Sequence, residues 1–345
     1  MPDQLSRDIH ALFLPIVPKL EISDFAARFL GDGGISLLFG ETREEYVSHV
    51  IDPARIAMET EAAWRGTIGR AREMAGPVLV AVDAEIGGIQ RLHRLVPELP
   101  SLAHAQRAAG EDIAAACRRV AKAASALGAN VFLSPVADVL VGRNPWLEGR
   151  TLGSDLGVVS KIVGAFVTGV QEGGVAATVK HFPGHPVCEL DPAIHEGEVT
   201  WSLDQLRTLF GPFQAGINAG AEIVMMGPAI FSALNPPIAA SLSGDLIGIL
   251  RSELGFKGVV LTDDLDWKAT IRDRSMEETA IAAVRAGADW MLVSANGVDK
   301  IPSMSIALAD AVARGVISGN LIAHSAAKLR ALAERLDRQR DTDAN

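Results

Sequence analysis

The residues best suited to chemistry lie at 180–185, where Lys180, His181 and His185 surround a Pro-Gly turn directly after an apolar, strand-like segment. Histidine exchanges protons near neutral pH, and lysine supplies a compact positive charge. Charged groups at the mouth of a buried element usually take part in binding or catalysis. The segment therefore indicates a functional site, and a structural turn with solvated ends is the alternative.

Acidic residues follow three other apolar runs. Asp83, Asp138 and the pair Asp263 and Asp264 each stand at or just beyond the end of such a run. In a parallel α/β barrel the chemistry lies at the carboxyl ends of the strands, so these side chains are expected to ring one pocket. Each has a structural alternative as a helix cap, a turn cap or a neutralising partner of Lys180.

Eight short apolar runs alternate with longer Ala-rich segments of helical spacing, which is typical of βαβ units around a parallel sheet. The pattern predicts a single α/β domain, a (β/α)8 barrel, with an open doubly wound sheet as the alternative. The Gly-rich residues 31–34 precede a strand and are interpreted as a turn, because a dinucleotide-binding loop should follow one. The runs are residues 12–17, 34–39, 77–82, 131–134, 175–179, 222–226, 258–262 and 289–293.

No Pro- or Ser-rich linker divides the 345 residues, so one domain is expected over 1–337. Residues 326–336 have the pattern of an amphipathic helix, and the polar residues 338–345 are expected to form a frayed tail.

The composition argues against several classes of partner. The net charge of −10 comes without a basic cluster, which argues against nucleic acid and against anionic lipid. No apolar stretch is long enough to span a membrane. Cys117 and Cys188 imply no disulfide framework, and the N-terminus lacks the basic and apolar regions of a signal peptide. A cytoplasmic protein with a small ligand is expected; oligomeric state leaves no signature in the sequence.

Five segments together resemble glycoside hydrolase family 3, in particular the single-domain bacterial β-N-acetylhexosaminidases that recycle cell-wall muropeptides. Residues 180–185, Lys-His-Phe-Pro-Gly-His, match the family signature residue for residue. The resemblance covers most of the chain. The other segments are residues 81–91, 134–138, 148–155 and 255–265.

The resemblance implies a (β/α)8 barrel and a retaining exo-β-N-acetylglucosaminidase that uses neither metal nor organic cofactor. Asp263 would attack the anomeric carbon and form a covalent glycosyl intermediate, with Asp264 in support. The substrate would be a small carbohydrate with a terminal β-linked amino sugar. Contacts to that sugar are implied for Asp83, Arg150, Lys180 and His181.

The resemblance also implies an acid/base histidine on a loop, oriented by an aspartate two residues earlier. Here the aspartate is Asp191, but Ala193 occupies the histidine position and the next histidine is His195. One helical turn would bring Asp191 and His195 to the same face, so His195 is the expected acid/base. A solvated loop histidine is the alternative, and a metal site formed by these two residues with His181 and His185 is disfavoured beside Lys180.

Other departures surround the expected sugar pocket. Ile86 and Gly88 stand where the family has a glycine and an arginine, and Pro186 replaces the glycine after the signature. These changes leave open a related glycosidase or a phosphorylase with another sugar specificity, and a non-catalytic sugar-binding relative. Trp146 is expected to stack on a sugar or to pack beneath a loop, and His185 is interpreted as structural.

Overall fold

The computed structural model describes residues 3–40, 42, 45 and 51–343. Eleven strands lie within these residues. The strands are β1 (Phe13–Pro15), β2 (Ser36–Leu38), β3 (Leu79–Val82), β4 (Val131–Phe132), β5 (Ala176–Phe182), β6 (Glu198–Val199), β7 (Ile223–Met226), β8 (Ile230–Phe231), β9 (Ile238–Ala239), β10 (Val259–Leu261) and β11 (Met291–Val293).

The central sheet is parallel and curves as a half-barrel of six strands in the order β10-β7-β5-β4-β3-β2. A second parallel pair joins β1 to β11. Single parallel bridges connect Ile16 with Leu38 and Leu261 with Trp290. All eight predicted strands are present, and an α/β fold with a parallel sheet is confirmed.

Helices connect the strands and cover the outside of the sheet. They are α1 (Gln4–Ala11), α2 (Asp24–Gly31), α3 (Pro53–Met58), α4 (Glu61–Ala75), α5 (Leu102–Arg107), α6 (Gly110–Leu127), α7 (Leu156–Glu172), α8 (Leu203–Arg207), α9 (Gly211–Asn218), α10 (Gly244–Ser252), α11 (Lys268–Ile271), α12 (Met276–Ala286), α13 (Ile301–Ala313) and α14 (Gly319–Asp343). In α6 the buried positions recur every three or four residues and include Cys117, a free thiol. Within the described residues, no helix is long and apolar enough to cross a membrane.

A polar chain inside the core joins three strands. Trp290 donates its indole N–H to Ser36 Oγ at 3.2 Å, and Ser36 donates to the carbonyl of Phe13 at 2.7 Å. All three residues are completely buried. A buried hydroxyl without a partner would cost about 1–3 kcal/mol. These two hydrogen bonds therefore favour one register among β1, β2 and β11.

Two features differ from expectation. A small sheet, β6-β8-β9, lies in the connections that follow β5 and β7, and its strands of two residues are too short to show a periodicity. Residues 338–343 continue helix α14 instead of fraying. Arg340 stabilises that last turn through Asp337 at 2.9 Å and Asp341 at 2.6 Å. As predicted, the Gly-rich segment 31–34 forms a turn: helix α2 ends at Gly31, and residues 32–34 lead into β2.

Candidate active site

Lys180 lies near the end of β5 in a cluster of four buried or half-buried charges. Its Nζ is 2.9 Å from Asp83 Oδ1 and 2.8 Å from Glu85 Oε1, and Arg150 Nη2 is 2.7 Å from the same Glu85 oxygen. Burial alone would lower the pKa of Lys180, but the two carboxylates outweigh it and raise that pKa. The ammonium therefore stays charged and is fixed in direction.

Glu85 holds the two cations of this cluster together. Burial alone would raise the pKa of its carboxyl, but Arg150 and Lys180 lower that pKa far below its usual range. In the sequence, Glu85 lies two residues beyond Asp83, within the segment 81–91. Its role as the common partner of Arg150 and Lys180 depends on the turn of residues 84–90, where Ala84 and Gln90 form an antiparallel bridge.

Asp138, after β4, fixes both histidines of the signature. Its Oδ2 accepts the backbone N–H of His181 at 2.9 Å and faces His181 Nδ1 at 2.8 Å. Its Oδ1 accepts the backbone N–H of His185 and faces His185 Nδ1, both at 2.9 Å. Burial would raise the pKa of Asp138, but the two histidines lower it, so the carboxylate is ionised.

This arrangement decides the state of His181. Burial lowers the pKa of His181 to about 3 in spite of Asp138, so the ring is neutral at ordinary pH. With a proton on Nδ1 toward Asp138, the Nε2 atom carries a lone pair, a tautomer assigned from the hydrogen bonds. Nε2 lies 4.0 Å from Asp263 Oδ2. His181 is therefore suited to accept a hydrogen bond from a ligand hydroxyl.

Asp263 follows β10 and has one free carboxylate oxygen. Its backbone N–H donates to Ser241 Oγ at 3.0 Å, and its Oδ1 accepts the N–H of Asp264 at 2.8 Å. Oδ2 has no hydrogen-bond partner among the described residues. Burial raises the pKa of Asp263 to about 6, although the Asp264 N–H and Lys180 oppose this. A buried carboxylate with a free oxygen suits a nucleophile.

The loop after the signature places Asp191 at the cavity and His195 away from it. Residues 191–195 form the expected turn, in which His195 N–H donates to the Asp191 carbonyl at 2.9 Å. Asp191 Oδ1 accepts from Ala193 N–H at 2.9 Å. Asp191, Ala193 and Ile194 line the cavity, whereas His195 is exposed and is not among the lining residues. The backbone of residues 191–195 therefore forms the predicted turn. The side chain of His195, however, is directed away from the cavity.

These residues surround one cavity of about 190 Å³. That volume is small beside pockets for drug-sized ligands, roughly 300–1,000 Å³, and suits a single sugar ring. Six of the seven predicted site residues line it; only His195 does not. The six are Asp83, Arg150, Lys180, His181, Asp191 and Asp263.

Aromatic side chains complete the cavity wall. The Trp146 ring is 4.4 Å from the His181 ring and 5.8 Å from that of Trp267, in an edge contact with the second. Trp146 is buried, so it packs beneath the site as well as lining it. Trp267 lies four residues after Asp263 but gave no signal in the sequence, because an isolated tryptophan is more often a core residue.

His185 is packed against the end of β7. A Cβ atom at Gly227 would lie 2.0 Å from its Cε1, so only glycine leaves room for the ring. His185, His181 and Asp138 also offer atoms in the geometry of a metal cluster. Each Nδ1 is at hydrogen-bond length from a carboxylate oxygen, however, which is closer than two ligands of a tetrahedral ion bound at about 2.0–2.2 Å. The group is explained by hydrogen bonding.

The comparisons with known proteins agree with the fold. The Glycosyl hydrolase family 3 N terminal domain matches residues 42–332, and the chain therefore belongs to that family of glycoside hydrolases. The resemblance inferred from the motifs is confirmed at this level.

Particular relatives are similar over much of the chain. A protein named beta-hexosaminidase from Stenotrophomonas maltophilia (strain K279a) is 35% identical over 225 residues, which cover 63% of this chain and 67% of that protein. One named beta-N-acetylglucosaminidase/beta-glucosidase from Cellulomonas fimi is 28% identical over 77% of this chain and 49% of its own length.

Solved structures have the same fold. A glycoside hydrolase family 3 beta-N-acetylglucosaminidase from Paenibacillus sp. str. FPU-7 superposes with a TM-score of 0.86 at 29% identity, covering 97% of this chain and 63% of that one. The beta-N-acetylhexosaminidase from Beutenbergia cavernae DSM 12333 has a TM-score of 0.84 at 23% identity, over 96% and 99% of the chains, which shows the shared fold. The chain thus spans less than two thirds of the Paenibacillus protein.

Proposed function

We propose that this protein is a retaining exo-β-N-acetylglucosaminidase in which Asp263 is the nucleophile. The observation that carries the proposal is the free Oδ2 of Asp263, which lies in a one-sugar cavity beside His181 and the Lys180 cluster. The names of the relatives in Stenotrophomonas and Paenibacillus support an acetamido sugar as the substrate. A carboxylate beneath the ring is what a retaining mechanism requires.

The reaction has two displacement steps. Asp263 Oδ2 forms a bond to the anomeric carbon while the bond to the leaving oxygen breaks and that oxygen takes a proton. Water then attacks the same carbon, loses a proton to the base and releases the Asp263 carboxylate. The sugar is held by Asp83, Arg150, Lys180 and His181; Lys180 keeps one N–H beyond those bound to Asp83 and Glu85.

The acid/base is assigned to His195, oriented by Asp191. In this assignment the loop must turn inward, because His195 is exposed while Ala193 and Ile194 face the cavity. The present position of the loop is stabilised by Ala269 N–H, which donates to the Pro192 carbonyl at 3.0 Å, and by Arg272, which pairs with Glu196 at 3.2 Å. Both contacts would have to change.

The comparison of His195→Ala with wild type tests this assignment. The variant should lose kcat/KM on substrates with poor leaving groups, such as chitobiose, and keep kcat/KM on p-nitrophenyl glycosides, whose first step needs little protonation. An equal loss of kcat/KM on both substrates, or no loss on chitobiose, would remove His195 from the mechanism. Sugar binding without turnover by the wild type would favour the non-catalytic alternative.

The overall reaction is tested by the anomer that forms first. Proton NMR of aryl β-N-acetylglucosaminide hydrolysis should show the β-anomer before mutarotation. An initial α-anomer would exclude a retaining mechanism. Addition of phosphate distinguishes a hydrolase from a phosphorylase, because a phosphorylase would release the sugar 1-phosphate.

The fold proposed for this activity is a single (β/α)8 barrel over residues 1–337. The parallel bridges from Ile16 to Leu38 and from Leu261 to Trp290 support closure of the ring of eight strands. Removal of residues 338–345 should leave the unfolding transition and the activity intact. Loss of folding on that truncation would move the domain boundary to the end of α14.

The proposed cellular role is the recycling of cell-wall muropeptides in the cytoplasm. The two buried cysteines, Cys117 and Cys188, are free thiols, which suits a reducing compartment. Fractionation of cells that express the chain from its own promoter tests the location. Accumulation of N-acetylglucosaminyl muropeptides in a deletion strain tests the role.

A further inference from the structure

We propose that an acidic wall of the cavity, formed by Asp191, Asp264 and Asp266, binds an ammonium group on the leaving group of the substrate. The substrate class is then a β-N-acetylglucosaminide whose leaving group carries a free amine, as a cationic amino sugar or a muropeptide with an unblocked amino group does. This inference rests on the proposed function and specifies which leaving groups that function prefers.

The first argument is the balance of charge around the cavity. The two cations that line it, Lys180 and Arg150, form ion pairs with Asp83 and Glu85. Asp263 lies 4.0 Å from the neutral ring of His181 and forms no ion pair with a lysine or arginine among the described residues. Within the described residues, no ion pair to a lysine or arginine is formed by Asp191, Asp264 or Asp266. The cavity therefore has an excess of carboxyl groups over cations.

Asp264 is the second argument. Its side chain lines the cavity and the residue is only 6% exposed, yet Oδ1 has no hydrogen-bond partner. Burial and the nearby charges of Asp263 and Asp266 raise its pKa well above the usual range. A buried polar atom without a partner is costly, and a cationic donor would satisfy it and favour its ionised form.

Asp266 is the more exposed of these two neighbouring carboxyl groups. It is half-buried, its Oδ2 accepts from Ser294 Oγ at 2.5 Å, and its Oδ1 has no partner. Trp267 follows directly and presents an aromatic ring to the cavity. A carboxylate beside a tryptophan matches an amino sugar, because the ring stacks on the sugar face while the acid binds the ammonium.

The amine belongs to the leaving group for a chemical reason. In the proposed function the sugar attacked by Asp263 is N-acetylated, so its nitrogen is a neutral amide. A positive charge at this wall must therefore come from the other side of the scissile bond. Because the cavity holds one sugar ring, that ammonium would approach from the rim, where Asp191 and Asp266 are half-buried.

The test compares two disaccharides that differ by one acetyl group. At pH 6 and low salt, kcat/KM for N-acetylglucosaminyl-β-1,4-glucosamine should exceed that for chitobiose by at least about tenfold, a partly buried ion pair being worth about 1.4 kcal/mol or more. Asp266→Asn should bring the ratio near one. The matched control Asp273→Asn, which removes an exposed carboxylate on the same segment, should preserve it.

A ratio near one in the wild type would overturn the inference, and so would a ratio that Asp266→Asn leaves unchanged. If that variant fails to fold, the wild-type ratio should still fall as salt is raised from 0.05 to 0.5 M, and a ratio insensitive to salt would overturn it. Hydrolysis of p-nitrophenyl β-N-acetylglucosaminide, which carries no ammonium, separates the two proposals. Cleavage of that substrate without a preference between the disaccharides would refute the cation site alone.

Discussion

Oδ2 of Asp263 and Nε2 of His181 lie 4.0 Å apart, one at the end of the strand β10 and the other near the end of β5. Neither atom is held by a hydrogen bond within the described residues. The Asp263 oxygen is suited to attack a carbon atom, and the His181 nitrogen is suited to accept a hydrogen bond from a hydroxyl group. In the proposed function, this pair would position a sugar with its anomeric carbon above Asp263.

Asp263→Asn should lower kcat by at least about 10⁴-fold, because the amide cannot form the glycosyl intermediate. Binding of N-acetylglucosamine should change little, since the contacts of Lys180 and Arg150 remain. Steady-state kinetics and calorimetric binding give both values. Asp273→Asn serves as the control, and a residual activity within tenfold of wild type would refute the nucleophile assignment.

Asp138→Asn should lower kcat/KM at least about tenfold. An asparagine at this position has one acceptor oxygen for four N–H groups, so His181 loses the partner that fixes its tautomer. Nitrogen-15 NMR of the histidines should show a change in the tautomer of His181. A variant with an unchanged tautomer and reduced activity would show that Asp138 acts in another way.

The activity should depend on the ionisation of Asp263. Since burial raises the pKa of that group to about 6, kcat/KM should fall roughly tenfold per pH unit below pH 6. The ring of His181 stays neutral across this range, with its pKa lowered to about 3. The pH dependence of kcat/KM for the wild type measures this fall. A fall centred near pH 4 would contradict the buried environment of Asp263.

The same group affects stability in the opposite direction. The pKa of Asp263 is higher in the folded chain than in the unfolded chain, so its contribution is fully present below about pH 4 and is lost as the pH rises through about 6. Relative to Asp263→Asn, the wild type should become less stable across this interval. Urea unfolding at pH 4 to 7 measures the difference, and a constant difference would refute the raised pKa.

Gly227→Ala should lower the free energy of unfolding by about 1–3 kcal/mol, because the added methyl group overlaps the ring of His185. Gly248→Ala is the matched control: it lies in helix α10 with open space around its Cβ and should be neutral or stabilising. Urea unfolding of both variants tests the packing. Equal effects would show that His185 moves aside at no cost.

Much of the fold could be predicted from sequence because the signals were local. Eight β-branched runs separated by helical segments are visible without tertiary information, and the charges at strand ends follow from the architecture. Lys180, Asp83 and Asp263 were found in this way. The two-residue strands β6, β8 and β9 were missed because so short a run has no period.

The partnerships within the site were harder to predict. That Asp138 would bind two histidines, or that Ser241 would accept a hydrogen bond from Asp263 N–H, depends on how distant loops meet. The outward direction of His195 depends on contacts of its loop with helix α11 and Arg272. Each of these contacts joins residues 22 or more positions apart in the chain and has no signature in a local pattern.

Mass spectrometry of the trapped intermediate tests the central claim most directly. The wild type would be incubated with a 5-fluoro N-acetylglucosaminyl donor, denatured in acid and digested. The account predicts one glycosyl label, on the peptide of residues 258–268, at Asp263. A label on any other residue, or turnover of the donor by the wild type with no labelled peptide at any time, would contradict it.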